Sequence, residues 1–199
     1  MFVVKIKQVK EEARIIGIDD GHFTKKQKRV IVVGAITRGN KSLDGLLSTK
    51  ITIDGLDATE RIIKMINRSS HKHQLRFIML NGITFGGFNL VDIKKLHSKA
   101  KLPVIVFIRK KPDFRSIYNA LKKNFKDWKD RWGFIKKAGR VHSMKINKSK
   151  VYFQKSGITV KLAREVIKMS IAYGNTPEPL RLAHIIATGI TMGQSKGGV

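Results

Sequence analysis

Short apolar runs, most of them rich in β-branched residues, alternate along this chain with turn signals and amphipathic stretches. Ile15, Ile16 and Ile18 flank Gly17 in a run that ends in Asp19, Asp20 and Gly21, which predicts a buried strand over residues 14–20. Residues 29–37 form a second strand, closed by the turn signal Arg38-Gly39-Asn40. Residues 46–54, with Thr49, Ile51 and Ile53 in alternation, form a third, and the three read as an antiparallel meander. Asp57-Ala58-Thr59-Glu60 has capping-box spacing, and Ile62, Ile63 and Ile66 give one face of a helix that stops near Ser69-Ser70. A fourth strand at 75–80 runs into the glycine-rich stretch from Asn81 to Phe88. A helix around 90–97 then leads through Leu102-Pro103 to a fifth strand at 104–108. A helix between strands four and five is what parallel neighbours require. Residues 113–123 and 126–137 read as basic helices, and the stretch from the Ala138-Gly139 turn to residue 150 as irregular or weakly extended. Beyond it come a strand at 151–154, a helix at 160–172, and a last helix at 177–192 with Pro177 or Pro179 in its first turn. Residues 193–199 read as a loose tail. The expectation is one α/β domain over residues 1–199: an RNase H-like mixed sheet, three antiparallel strands and then parallel ones, flanked by helices on both faces.

Composition narrows the class. No apolar run approaches the roughly 20 residues of a membrane span, and Lys5, Lys7 and Lys10 are scattered among Val and Ile at the start, so neither signal peptide nor anchor is expected. The absence of cysteine excludes disulfides and thiolate metal sites and fits a cytoplasmic protein. Charge changes the picture most: 41 Lys and Arg face 14 Asp and Glu, a net +27. A field of that size calls for a polyanion, and its spread from Lys5 to Lys196 describes a folded basic surface suited to nucleic acid, not to a membrane. Heat adaptation alone would enrich Glu along with Lys, and Glu is scarce here.

Among so few acids, Asp19 and Asp20 stand side by side at a strand end. Metal-assisted phosphodiester cleavage needs carboxylates converging on one point to hold one or two magnesium ions, with manganese as a substitute. Adjacent strand residues point to opposite faces, so one of the pair is the natural ligand; a plain Asp-Asp-Gly turn is the alternative. In a meander the third strand runs parallel to the first, which brings Asp54, Asp57, Glu60 and Asn81 to the same rim as Asp19. Helix capping by Asp57 or Glu60, and a turn of Asp54 with Gly55, compete with that role. Asn81 can offer an amide oxygen but no charge, and Asp92 could compensate if its helix folds back. Phe85 and Phe88 in the glycine-rich stretch suit either a pocket for an unstacked base or the core. Arg109, Lys110 and Lys111, with Lys122, Lys123, Lys126, Lys129, Arg131, Lys136 and Lys137 on the two basic helices, form the best backbone-binding surface. Trp128 and Trp132 share a helix face suited to packing. His184 on the last helix can serve as acid or base or be structural, whereas His71 and His73 show no metal spacing.

Gly17-Ile18-Asp19-Asp20-Gly21, the block Asn81 to Asn89 with Val91-Asp92, Leu102 to Val106, and Pro177-Glu178-Pro179-Leu180-Arg181-Leu182-Ala183-His184 together resemble an archaeal family related to endonuclease V and called endonuclease dU. The resemblance covers about residues 13–193. It implies an RNase H-like fold and a magnesium-dependent endodeoxyribonuclease that cuts near uracil or hypoxanthine in DNA repair, with DNA favoured over RNA. The first-strand Asp of endonuclease V matches Asp19, and its Glu near the first helix start matches Glu60 or Asp57. Its fourth-strand Asp is Asn81 here, and its Gly-His before the penultimate helix is absent, since Ile158 follows Gly157. The expected assignment is therefore Asp19, Asp20, Glu60 and Asn81 in catalysis and Asp19, Asp20, Asp54 and Asp57 at the metal. Phe85, Phe88, Arg109, Lys110, Lys111, Arg181 and His184 are expected against nucleic acid. The rival is a nuclease-fold protein that binds DNA or RNA without cutting it, and charge alone would also suit a ribosome-associated scaffold.

Overall fold

The structure is a computed structural model that describes residues 9–24 and 26–195. The expectation for the chain's start at 1–8, and most of the tail expected after Gly193, lie outside the described residues. Among the described residues seven strands build the main sheet. β1 (Arg14–Asp20), β2 (Arg29–Arg38) and β3 (Ser42–Thr52) form the antiparallel meander. β4 (Leu75–Asn81) lies parallel to β1, and β7 (Val104–Ile108) parallel to β4. The 138–150 stretch differs from its expectation. There β8 (His142–Ile146) and β9 (Ser149–Ser156) form a hairpin, and β9 joins β7 antiparallel, giving the order β3-β2-β1-β4-β7-β9-β8. Polar residues such as Lys145 and Lys150 hid this hairpin; it lies at a sheet edge, where solvent removes the need for an apolar run. The glycine-rich stretch also holds a two-stranded ribbon, β5 (Thr84–Phe85) with β6 (Asn89–Leu90), so the second helix starts later than expected.

The continuous apolar character of β1 and β4 follows from burial on both faces. On one face Ile16, Ile18 and Ile78 pack with Ile62 and Ile66 of α1 (Ala58–Asn67) and Leu96 of α2 (Ile93–Ala100). On the other, Ile15, Phe77 and Phe107 pack with Val166 of α5 (Val160–Met169) and Leu180 of α6 (Glu178–Met192). α3 (Phe114–Asn124) and α4 (Trp128–Lys137) stand on a third, smaller core of Leu90, Leu121 and Ile135. Among the described residues no helix is long and apolar enough to cross a membrane.

Candidate active site at the rim of the parallel strands

β1, β4 and β7 are parallel, so their C-terminal ends deliver Asp19 and Asp20, Asn81, and Arg109 to one rim of the sheet. Pleating then separates the two acids. Asp19, 4% exposed, lies on the face covered by α6: its Oδ2 accepts from Asn81 Nδ2 at 2.9 Å and from His184 Nδ1 at 2.8 Å, and its Oδ1 accepts from the Asp20 N–H at 3.0 Å. Asp20 turns to the other side, where its Oδ2 accepts from the Gly86 N–H at 2.8 Å. Burial, with a lesser push from the Asp19 charge, raises the Asp20 carboxyl to about 6. The hydrogen bond to Asp19 raises the His184 imidazole, against burial and the opposing charge of Arg109.

Gly17 explains how α6 comes so near. A Cβ at that position would stand 2.3 Å from the Pro179 carbonyl carbon and 2.6 Å from the Leu180 nitrogen, so only glycine lets the start of α6 lie against β1. The helix then runs along β1 far enough for His184 to reach Asp19 and for Thr191 Oγ1 to accept from the His22 N–H at 3.0 Å. Arg181 sits one turn before His184 and is held by Glu178 through contacts of 2.6 and 2.8 Å.

The other expected acids reach the rim but are engaged elsewhere. Asp54 has a positive φ of 54°, accepts from the Phe88 N–H at 2.8 Å, and its own N–H donates to the Gly86 carbonyl. Asp57 accepts from the Thr52 N–H at 3.0 Å and the Asn89 amide at 2.7 Å, which ties β3 to α1; burial alone would raise its pKa, but these bonds outweigh it and hold it below the ordinary value. Glu60 is exposed and ion-paired with Lys95. Asp92 caps α2 by accepting from Lys94 and Lys95 N–H groups, so it does not compensate for Asn81. Phe85, 1% exposed, belongs to the main core and offers no face to a base, because the ribbon turns its ring inward. Phe88 is half-buried against Phe125, with ring centroids 5.5 Å apart. Lys110 and Lys111 follow Arg109 in solvent, where a charge run on a rim belongs.

The expected four-carboxylate metal centre is thus not assembled, and among the described residues no three acidic, His or Cys side chains form a metal-holding group. Magnesium, however, is often held by one or two carboxylates together with substrate phosphate oxygens. Asp19 is the rim carboxylate that meets His184 and Asn81, while Asp20, turned to the opposite face, is raised chiefly by burial with a lesser push from the Asp19 charge. A single carboxylate of this kind fits an ion held mainly by substrate oxygens, not an all-protein cage. Two features escaped the sequence reading. Arg131 looked like one more surface cation, and the glycine inside an isoleucine-rich strand was the unread signal for the close approach of α6.

Several known proteins are similar to this chain. A UPF0215 protein of Methanothermobacter thermautotrophicus is 50% identical over 192 residues, covering 96% of this chain and 94% of the relative. The crystal structure of a protein of unknown function from Archaeoglobus fulgidus superposes with a TM-score of 0.81 at 40% identity, over 89% of this chain and 97% of the other. The endonuclease V of Ciona intestinalis, in complex with a 24mer DNA containing an inosine followed by a ribo-adenosine, gives a TM-score of 0.56 at 10% identity over 86% and 82% of the two chains. That likeness gives the fold: an RNase H-like fold of the endonuclease V type. The model of the family described as Endonuclease dU matches residues 11–191, and this chain belongs to the endonuclease dU family.

Proposed function

We propose that this protein is a divalent-metal-dependent endonuclease that cleaves a phosphodiester bond of DNA near a deaminated base, uracil or hypoxanthine, acting in DNA repair in the cytoplasm. The observation that carries the reading is the Asp19 carboxylate, buried at the sheet rim between Asn81 and His184 with Asp20 beside it, in a chain of the endonuclease dU family. Asp19, together with substrate phosphate oxygens, would hold magnesium or manganese, which when bound neutralises phosphate charge and lowers the pKa of water. Asn81 fixes the Asp19 carboxylate through its amide. Because His184 turns Nδ1 to Asp19, its Nε2 edge is left to hold or release a proton at the substrate. Arg109, whose charge reaches His184, and Arg181, oriented by Glu178, bind phosphates on either side; Lys110 and Lys111 extend that backbone contact. DNA as substrate draws support from the inosine-containing DNA bound by the Ciona endonuclease V.

The test is a panel of end-labelled single- and double-stranded DNA and RNA, with and without uracil or hypoxanthine, incubated with magnesium, manganese or a chelator. Metal-dependent nicking confined to lesion-bearing DNA is the expected result. Binding without nicking on every substrate would favour the second reading, a nuclease-fold protein that only binds. That reading draws on one observation: Asn81 presents an amide N–H to Asp19 at the strand end where endonuclease V carries an acid.

A further inference from the structure

We infer that the α3–α4 hairpin is a stacking platform for single-stranded nucleic acid, a subsite apart from the Asp19 rim. The inference rests on the reading that nucleic acid is the partner, and it adds the form of the strand and the residues that grip its bases. Residues 113–140 carry nine Lys and Arg against three Asp, and Arg109, Lys110 and Lys111 of the rim lead into them. Of those acids, Asp113 caps α3 by accepting from the Arg115 and Ser116 N–H groups, and Asp127 pairs with Arg131.

Rings are interleaved with that charge. Phe114, Tyr118 and Lys122 fall at i, i+4 and i+8 along α3, and Trp128, Trp132 and Lys136 do the same along α4, so each helix carries a row of two rings ending in a cation. The rows meet edge to face: Tyr118 lies 5.3 Å from Trp128 and 5.2 Å from Trp132, and Phe114 lies 6.4 Å from Trp132. Each edge-to-face pair spends one ring face on its neighbour, and Lys129 Nζ lies 5.7 Å over the Trp128 ring, so the surface offered to a base is the part left to solvent: Phe114 is 40% exposed, and Tyr118, Trp128 and Trp132 are half-buried. Among the described residues the fully buried part of the hairpin's core is Leu90, Leu121 and Ile135, and Trp128 and Trp132 pack against it. Duplex DNA presents phosphates and groove edges, whereas a single strand presents base faces, and rings flanked by lysines match the latter.

The hairpin is also fixed relative to the rim. Arg131, 4% exposed, lies 4.1 Å over the Phe125 ring and donates to the carbonyls of Phe88 at 2.7 Å, Asp54 at 2.8 Å and Gly55 at 3.2 Å. Asp54 in turn bonds Gly86, whose N–H bonds Asp20. A strand laid on the rings is thereby set at a constant place with respect to the candidate active site.

The chain's only two tryptophans are both in this platform, so its intrinsic fluorescence reports on the platform alone. The experiment titrates the full chain, in chelator, with a lesion-free thymidine strand of about twenty nucleotides and with a duplex of equal length, following tryptophan emission and the anisotropy of the labelled nucleic acid together. The expected result is saturable quenching by the single strand, binding about tenfold tighter than to the duplex, and at least about tenfold weaker binding of the single strand when Lys122, Lys123, Lys126 and Lys129 are all replaced by alanine. The four lysines are exposed, so this variant keeps the hairpin core, and unchanged circular dichroism checks its fold. Single-strand binding without a change in emission, equal affinity for duplex and single strand, or no binding at all would each overturn the inference. No cleavage enters the measurement: quenching in a protein that never nicks would sink the endonuclease reading alone, and nicking without quenching would sink the platform alone.

Discussion

At the residue scale, the candidate site depends on one missing methyl group. Gly17→Ala places a Cβ against the backbone of Pro179 and Leu180, neither of which can yield as a side chain would. β1 and α6 must then part, and His184 moves with α6. The expected cost is about 3 kcal/mol, at the upper end for overpacking, read by urea denaturation, together with loss of nicking. Asp57 makes a separate, pH-dependent statement. Its folded pKa is depressed, so it contributes stability that is present above the unfolded value near 3.8 and is lost as pH falls through the folded value. Asp57→Asn should therefore destabilise the protein at pH 6, with a difference from wild type that shrinks below about pH 4; a pH-independent difference would show that the carboxylate's charge plays no part. Asp19, Asp20 and Asn81 were legible because each ends an apolar strand. The partnership of His184 with Asp19 was not, since nothing local in an apolar helix says which strand it will cross. Phe85 misled for a related reason: a glycine-rich stretch with aromatics reads as an open pocket, whereas its ribbon geometry turns the ring into the core.

At the scale of elements, Arg131 does for the α3–α4 hairpin what Gly17 does for α6. Its guanidinium serves three backbone carbonyls and Asp127 at once, a geometry that a lysine ammonium cannot reproduce. Arg131→Lys leaves carbonyls of Asp54, Gly55 and Phe88 without their buried guanidinium donor and should cost on the order of 3 kcal/mol. Because the hairpin rests on its own small core, that loss should appear locally: in a denaturant titration of the variant, tryptophan emission should change before the far-ultraviolet signal of the sheet. Coincident transitions would mean that the hairpin is held by other contacts. No sequence pattern distinguishes this arginine from the exposed lysines around it. The β8–β9 hairpin was hidden for the opposite reason, since an edge pair can carry lysines that a central strand could not. The meander, the parallel pair β4 and β7, and the start of α6 were legible because burial on both faces, or a proline in a first turn, leaves a composition with few other interpretations.

At the scale of the whole molecule, the charge of +27 sets the terms of association. Affinity for any oligonucleotide should fall by at least about a hundredfold between 50 and 200 mM salt, with a steep linear dependence of log affinity on log salt. A shallow slope would mean that most of the lysines face away from the nucleic acid. The same excess of cations leaves few acids from which to build chemistry, and the fold gathers two of them, with an amide and an imidazole, at the rim. Whether that small set performs hydrolysis is the central question. The most direct measurement is the single-turnover nicking rate of a uracil- or hypoxanthine-bearing DNA by the wild type and by Asp19→Asn, with DNA affinity measured on the same samples in magnesium. The asparagine keeps the shape of the side chain and removes its charge. The account predicts a fall in nicking of at least about a hundredfold with affinity changed only a few-fold. An Asp19→Asn protein that nicks at the wild-type rate would contradict it.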